Sequence, residues 1–125
     1  MHYWVPYGRA DYDPADRLSF INDNRNRLAT RLRQLRTGLR HAQTPVSPMR
    51  RLLSNLEFGR RENDYTVAAN FVLYEHAVQA NHQLRVWAGR VSYVIRRSDS
   101  GLRMRAKVVE LVNATDALPS LAFLI

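Results

Sequence analysis

The chain of 125 residues contains no cysteine, and this absence removes several classes of site at once. Disulfide bonds, cysteine nucleophiles and zinc or iron–sulfur centres held by thiolates are all excluded. No apolar stretch is long enough to span a bilayer, and Met1–Pro6 lacks the basic start and apolar run of a signal peptide. We therefore expect a cytoplasmic protein without membrane contact, folded as one domain over residues 1–125.

Acidic side chains are missing from one long window, residues 24–56. The chain has a net charge of +8, and this window holds eight arginines and no Asp or Glu, whereas basic and acidic residues cancel elsewhere. An unneutralised block of this kind indicates a charged partner, and a polyanion such as nucleic acid is the first candidate. The eight residues are Arg25, Arg27, Arg31, Arg33, Arg36, Arg40, Arg50 and Arg51.

Leucine spacing in the first part of this window predicts a helix. Asp23 stands where an N-cap is expected and Gly38 where the helix should end. The arginines flank the apolar stripe on both sides, whereas a helix that reads a nucleic-acid groove needs them on the face away from the core. Long arginine stems beside an apolar seam are typical of protein–protein interfaces, so the pattern favours a protein partner over nucleic acid. The stripe consists of Leu28, Leu32, Leu35 and Leu39.

Apolar side chains alternate with a period of two after residue 50, which predicts antiparallel strands. Leu52, Leu56 and Phe58 mark the first strand, with a turn at Gly59–Asp64. Tyr65–Leu73, Leu84–Arg97 and Met104–Val112 follow, with a tight turn at Ser98–Gly101. Elsewhere we expect a strand at Met1–Tyr7, a loop at His41–Pro48, a short apolar run of no definite type at Leu18–Ile21, and an apolar tail, Leu118–Ile125, suited to a further edge segment. This order predicts an α+β fold in which a helix precedes an antiparallel meander.

Two groups of polar residues are candidate metal sites, and for both the structural explanation is stronger. The Asp11–Asp16 loop lacks the glycine at the sixth position and the glutamate at the twelfth position of a calcium loop, so a solvated turn is expected. His76 and His82, with Glu75, match no helical ligand spacing and have no obvious further ligand. Exposed loop histidines are the preferred interpretation.

General acid–base chemistry on a concave sheet face is a third possibility. Tyr3, Tyr74, Tyr93 and His76 are the available side chains, but their spacing selects no catalytic pair. Core or interface aromatics explain the tyrosines more simply.

Several short motifs follow one another in a characteristic order. A Tyr3-Trp4-Val5-Pro6 strand precedes a helix that opens with Asp23-Asn24-Arg25. Next come Pro48-Met49-Arg50-Arg51 and Ser54-Asn55-Leu56-Glu57, then Thr66–Tyr74, and finally Trp87-Ala88-Gly89-Arg90 and Lys107–Val112. This ordered set, running from Tyr3 to Ile125, resembles the small (β) subunit of the Rieske-type aromatic ring-hydroxylating dioxygenases.

The resemblance implies a cone-like fold related to nuclear transport factor and steroid isomerase, in which a curved antiparallel sheet packs on helices. Members of that family carry helices before the first strand that are missing here, so we expect an apolar patch on the sheet. The resemblance further implies a trimer of small subunits that supports the large (α) subunits. The Rieske [2Fe-2S] cluster, the mononuclear iron and the substrate pocket would belong to the large subunit, which converts an arene to a cis-dihydrodiol.

On this interpretation the chain itself carries no cofactor, metal or catalytic residue, and its functional residues lie at subunit interfaces. We expect Arg50→Glu or Arg51→Glu to weaken assembly without loss of the fold. A free-standing cone-fold isomerase or dehydratase that uses the sheet cavity is the alternative. The expected interface residues are Arg31, Arg36, Arg50, Arg51, Trp87 and Arg96.

Overall fold

The computed structural model describes residues 1–37 and 45–125, and this part of the chain forms six strands and one helix. The elements are β1 (His2–Pro6), β2 (Ser19–Asn24), α1 (Arg25–Arg36), β3 (Met49–Arg61), β4 (Asp64–His76), β5 (Leu84–Ser98) and β6 (Gly101–Leu111). The strands form a single sheet in the order β2-β1-β6-β5-β4-β3. Neighbours are antiparallel except β1 and β6, which are parallel. The α+β class is therefore confirmed, with one parallel pair that the sequence did not indicate.

The sheet has one covered and one open face. Tyr3, Phe71 and Val91 lie on the covered face and are at most 3% exposed. Since α1 packs against this side through Leu28, it is termed the helix face, and the opposite side the outer face. The β3–β4 and β5–β6 turns lie at the hairpin end of the sheet, and the β4–β5 connection lies at the loop end. The β1–β2 loop lies between these ends, since the Ala10 N–H donates to Glu110, whose cross-strand partner on β5 is Arg90.

The period of two in the central strands is confirmed. On β4, Ala69, Phe71 and Leu73 are buried on the helix face, and the cross-strand partners of Ala69 and Leu73 are Val91 and Trp87 on β5. Residues that face each other across neighbouring strands share one side of the sheet, so these pairs stack into a continuous apolar layer. Each fully buried side chain of this size stabilises the fold by roughly 1.5–3 kcal/mol.

The N-cap of α1 lies one residue later in the chain than predicted. Asn24, and not Asp23, is the N-cap, and its side-chain oxygen accepts a hydrogen bond of 3.0 Å from the backbone N–H of Arg27. Asp23 was the wrong choice because β2 extends to Asn24 and turns the Asp23 side chain onto the helix face. Leu32 is 40% exposed, so the leucine stripe is only partly buried. The predicted end at Gly38, Leu39 and the first half of the predicted His41–Pro48 loop lie outside the described residues.

The β3–β4 turn is tighter than predicted, whereas the tight turn predicted at Ser98–Gly101 is confirmed. β3 and β4 remain paired as far as Arg61 and Asp64, so the turn is confined to Glu62 and Asn63, with Glu62 at a φ of 54°. On the other side, β6 begins at Gly101 instead of Met104, because Ser98 pairs directly with Gly101. The short apolar run at residues 18–21 belongs to strand β2.

Strand β3 is interrupted by a bulge that changes which residues share a face. The register shifts between Ser54 and Glu57, and Asn55 has a φ of 50°. Leu52 lies opposite Val72 on the outer face, whereas Phe58 lies opposite Val67 on the helix face. The predicted period of two is thus correct for this strand. The apolar residues do not all share one face, however, because the bulge inserts an extra residue.

The apolar tail after β6 forms neither a strand nor a helix, so the expected edge segment is not formed. The tail nevertheless enters the core, where Phe123 is 7% and Ile125 0% exposed. The Phe123 ring contacts the Trp87 ring edge to face, with centroids 5.7 Å apart. The tail thereby covers a part of the helix face that α1 does not reach.

Candidate functional site

The structure places the six predicted interface residues in different environments. On α1, Arg31 pairs with Asp23 through two hydrogen bonds of 2.7 and 3.2 Å. This hydrogen bonding raises the pKa of Arg31, and the guanidinium is therefore neutralised within the chain. Arg36, in the last turn of α1, is exposed, where a cation is favoured by the helix dipole.

Arg50 and Arg51 point to opposite faces of the sheet, since they are consecutive residues of one strand. Arg50 lies opposite Tyr74 on the outer face and donates a hydrogen bond of 3.0 Å to the Met49 carbonyl. The Arg51 guanidinium lies over the Phe71 ring on the helix face, 5.7 Å from its centroid. Both side chains are exposed, so each is accessible to a partner from a different direction.

Trp87 does not lie at the surface. Its side chain is 3% exposed, and its indole N–H donates a hydrogen bond of 2.9 Å to Glu75. A ring enclosed in this way offers no area to a partner, and we attribute to Trp87 a role in the core instead of an interface.

Arg96 lies at the hairpin end, far from the other arginines of the set. It holds Asp64 with two hydrogen bonds of 2.7 and 3.0 Å, which lower the pKa of the Asp64 carboxyl. Asp64 and Tyr74, the cross-strand partners of Arg96 and Arg50, are ten residues apart on β4, about 34 Å of extended chain. The structure therefore does not bring the predicted residues together on one surface.

The candidate metal sites have structural roles. In the Asp11–Asp16 loop, Asp13 accepts hydrogen bonds from the backbone N–H groups of Ala15 and Asp16, each 2.9 Å long, as in an ordinary turn. The rings of His76 and His82 are 5.8 Å apart, whereas Glu75 points into the core toward Trp87. Among residues 1–37 and 45–125, no three His, Asp or Glu side chains come together as a metal site requires.

The candidate acid–base residues do not converge on one cavity. Tyr3 and Tyr93 lie on the helix face, whereas Tyr74 lies on the outer face and is 38% exposed. His76 is the last residue of β4, at the loop end. Tyr74 and His76 share the outer face, two residues apart on β4, so the four candidates are divided between the two faces of the sheet.

A buried polar cluster on the helix face was not predicted from the sequence. The Tyr3 hydroxyl donates to the Ile125 carbonyl at 3.0 Å and accepts from the Ile125 N–H at 3.1 Å. The Lys107 ammonium also donates to the Ile125 carbonyl and lies 5.1 Å from the centroid of the Tyr3 ring. Tyr3 is 122 residues from Ile125 and Lys107 is 18 residues from it, so no local pattern in the sequence could predict these contacts.

Burial shifts the acid–base equilibria of both side chains in this cluster. Burial raises the pKa of the Tyr3 hydroxyl, and it lowers the pKa of Lys107 to about 8, helped by the positive charge of Arg51. In both cases the neutral form is favoured, as expected where a group is taken out of water. The cluster is suited to holding the tail in place on the sheet.

The most exposed apolar surface is on β3, the strand at the edge of the sheet. Every residue after Met49 in this strand is exposed, including Leu52 at 58% and Phe58 at 76%. A long edge strand that displays apolar side chains is a typical site of protein association. The two-residue alternation predicted this strand, but it did not indicate that the apolar side chains would be exposed.

Within the described residues, no helix has the length and apolar character needed to cross a membrane.

The chain is similar to known dioxygenase proteins in both sequence and structure. The chain is 23% identical, over 98% of its length and 71% of the relative's, to the biphenyl 2,3-dioxygenase subunit β of Rhodococcus jostii. Its structure is similar to the β subunit of a benzoate 1,2-dioxygenase from Burkholderia mallei, with a TM-score of 0.67 and 22% identity over 90% of this chain and 70% of that one. A naphthalene 1,2-dioxygenase with indole in its active site gives a TM-score of 0.73 at 15% identity, over 97% of this chain and 66% of that one.

The cone-like architecture is confirmed by a more distant similarity. An NTF2-like protein with a cystatin-like fold from Novosphingobium aromaticivorans gives a TM-score of 0.54 at 12% identity, over 90% of this chain and 62% of that one. At such identities the likeness shows the fold.

The sequence also matches a family model over most of its length. The model describes the ring-hydroxylating β subunit and matches residues 1–116, which include all six strands and the helix. The chain therefore belongs to the family of ring-hydroxylating dioxygenase β subunits.

Proposed function

We propose that this chain is the non-catalytic small subunit of an aromatic ring-hydroxylating dioxygenase and that it supports the assembly of an iron-bearing large subunit. The observation that carries this proposal is the family match over residues 1–116. The curated relative at 23% identity is itself named as a β subunit of a dioxygenase.

In the proposed complex the large subunit carries out the chemistry and the small subunit serves as a scaffold. The large subunit would hold the Rieske [2Fe-2S] cluster and a mononuclear iron. It would add both atoms of dioxygen to an arene, with two electrons from NADH and two protons, and yield a cis-dihydrodiol. The small subunit would act in the cytoplasm as a trimer beneath three large subunits and hold no cofactor.

The internal polar contacts support a scaffold role. Glu75 is occupied by the Trp87 indole, and Tyr3 and Lys107 are both bound to Ile125. These three ionisable groups on the helix face thus fix the tail and the strands to one another. A catalytic acid or base must instead be free to exchange a proton with a ligand.

The positively charged surface supports a protein partner. Arg25, Arg33, Arg36 and Arg50 are exposed, and within the described residues none of them forms an ion pair. Arginine forks pair well with carboxylates at interfaces. We assign these four arginines and Arg51, which lie on different faces of the chain, to contacts with acidic side chains of the large subunit or of a sister copy. Arg40 lies outside the described residues.

The alternative of a cone-fold isomerase or dehydratase is less well supported. The structural likeness to the NTF2-like protein, at a TM-score of 0.54, is weaker than the likeness to the naphthalene dioxygenase, at 0.73. The division of the candidates between two faces, with Tyr3 on the helix face and Tyr74 and His76 on the outer face, also argues against one acid–base site that they all share.

Co-expression with the large subunit tests the non-catalytic role. We expect Tyr93→Phe and His76→Ala to leave arene oxidation by the complex within about twofold of wild type, because neither side chain is assigned to the chemistry. We also expect the isolated chain to contain no iron by elemental analysis. Iron in the isolated chain, or a complex of normal mass that loses turnover in either variant, would contradict the proposal.

A further inference from the structure

The hairpin end of the helix face carries an open groove, termed the hairpin-end groove. An apolar cavity of about 550 Å³ is lined by Phe58, Val67 and Leu102 among others, and a polar cavity of about 750 Å³ adjoins it. Tyr65 and Arg97 line both cavities, so the two form one groove with an apolar and a polar part. Volumes of this order, with apolar walls and a few polar groups, are typical of sites for small molecules.

The pairing of the strands brings the apolar and the basic side chains of this groove together. On β4, Tyr65 lies between its cross-strand partners Arg60 on β3 and Ile95 on β5. Phe58 is two residues before Arg60, and Arg97 is two residues after Ile95, so all of these side chains share the helix face. Tyr65 and Arg97 are diagonal neighbours at a spacing of about 7–8 Å, which long side chains bridge. One small molecule can therefore contact both.

Positive charge exceeds negative charge in the groove. Arg60, Arg96 and Arg97 line it, and Asp99 is the one carboxylate among the lining residues. Arg96 is held by Asp64 in an ion pair of 2.7 Å. The two remaining arginines stand against Asp99 and leave a net charge of about +1, which a ligand with a single negative charge would neutralise.

The hydrogen-bond donors of the groove are free to bind a ligand. Neither the Arg97 guanidinium nor the Tyr65 hydroxyl has a hydrogen-bond partner among residues 1–37 and 45–125. Arg60 donates one hydrogen bond of 3.2 Å, to a backbone carbonyl, and a guanidinium carries five N–H groups. The planar fork of an arginine matches the two oxygens of a carboxylate.

We propose that the hairpin-end groove binds an aryl carboxylate, with its rings against Phe58 and Tyr65 and its carboxylate on Arg97. Aromatic rings pack favourably against other aromatic rings, edge to face or offset, and the apolar cavity has two of them in its wall. The single carboxylate matches the net charge of the lining residues. This binding site goes beyond the scaffold role proposed above and does not depend on it.

Isothermal titration of the purified full chain with 2-naphthoate tests the proposal. The neutral control ligand is 2-naphthamide, which has the same rings and nearly the same shape. We expect one molecule of 2-naphthoate to bind per chain, about tenfold more tightly than the amide, because only the carboxylate forms charge-assisted hydrogen bonds with Arg97.

Substitutions separate the two parts of the groove. Arg97→Gln should weaken 2-naphthoate about tenfold and change 2-naphthamide little. Arg61→Gln is the matched control, because it removes the same charge from the same end of the sheet but from the outer face, opposite Asp64. Phe58→Ser should weaken both ligands, whereas Leu52→Ser, at an exposed position on the outer face of the same strand, should weaken neither. Circular dichroism should show an unchanged fold for all four variants, since these side chains are exposed.

The proposal is overturned if 2-naphthoate does not bind at millimolar concentration, or if it binds no more tightly than the amide. It is also overturned if Arg61→Gln weakens 2-naphthoate as much as Arg97→Gln does, because the charge of the whole surface would then be responsible. Displacement of 2-naphthoate by a ring-hydroxylating large subunit would likewise overturn it, since the groove would then be part of that interface. Capture of the large subunit is measured without ligand, so the proposed function is tested separately.

Discussion

At the scale of single residues, Lys107 is the only lysine of the chain, and its position makes stability depend on pH. Its pKa is lowered to about 8 from the ordinary value of 10.5. Between these two values the unfolded chain binds a proton that the folded chain does not, so the free energy of unfolding should rise with pH across this window. Below pH 8 both states are protonated and this contribution is constant.

Ionisation of Tyr3 changes the free energy of unfolding in the opposite direction and at higher pH. Its pKa is raised above the ordinary 10.0, so above pH 10 the unfolded chain loses a proton that the folded chain retains, and stability falls. Urea unfolding from pH 7 to 11 should therefore show a maximum near pH 10. Lys107→Met should remove the rise and keep the fall, whereas a rise that persists in this variant would refute the assignment.

The ion pair between Arg31 and Asp23 is the second residue-scale determinant. Asp23 is 6% exposed, and Asp23→Asn would leave the partly buried guanidinium without its charge partner. We expect a loss of about 2 kcal/mol, below the 3–5 kcal/mol typical of fully buried pairs because Arg31 retains contact with water. Asp64→Asn, which breaks the exposed pair with Arg96, is the control and should cost clearly less in chemical denaturation.

At the scale of elements, the separation of Arg50 and Arg51 onto two faces of β3 suggests that both faces of this strand are engaged on assembly. Arg50→Glu and Arg51→Glu should each lower the amount of large subunit that co-purifies with this chain, by about tenfold, because each places a carboxylate where a carboxylate partner is proposed. The thermal unfolding midpoint should stay the same. Co-purification equal to that of the wild type would show that this part of β3 is not an interface.

The elements also show which features the sequence could predict. The helix and the long strands follow from periodicity, because Phe71 and Trp87 are buried at the positions that alternation assigns to them. The bulge at Asn55 could not be predicted, since an extra residue in one strand preserves local composition while it moves every later side chain to the other face. The N-cap was misplaced because both Asp23 and Asn24 are good caps, and only the pairing of β2 decides between them.

The candidate site was harder to predict than the fold. Arg50 and Arg51 could be recognised as unneutralised surface charge, but the Asp64–Arg96 pair depends on two hairpins meeting at one end of the sheet. Trp87 was expected at an interface, because the alternation in this strand allows its side chains to face either the core or the surface. The hydrogen bond from Trp87 to Glu75 resolves this choice, and it depends on the cross-strand register of β4 and β5.

At the scale of the whole molecule, the fold leaves more apolar surface open than one helix and one tail can cover. α1 and residues 112–125 pack against part of the helix face, whereas Leu52 on the outer face and Phe58 at the hairpin end remain exposed. A sheet with this much uncovered apolar area is stabilised by association. The molecule therefore has the character of a subunit, in agreement with its family.

The proposed role as the small subunit of a dioxygenase is tested by native mass spectrometry of the chain co-expressed with a ring-hydroxylating large subunit. We expect one complex that contains the two chains in equal numbers. All iron should be on the large subunit, and arene oxidation should occur only in the fraction that contains both chains. A large subunit that assembles fully and oxidises arenes at an undiminished rate without this chain would contradict this role.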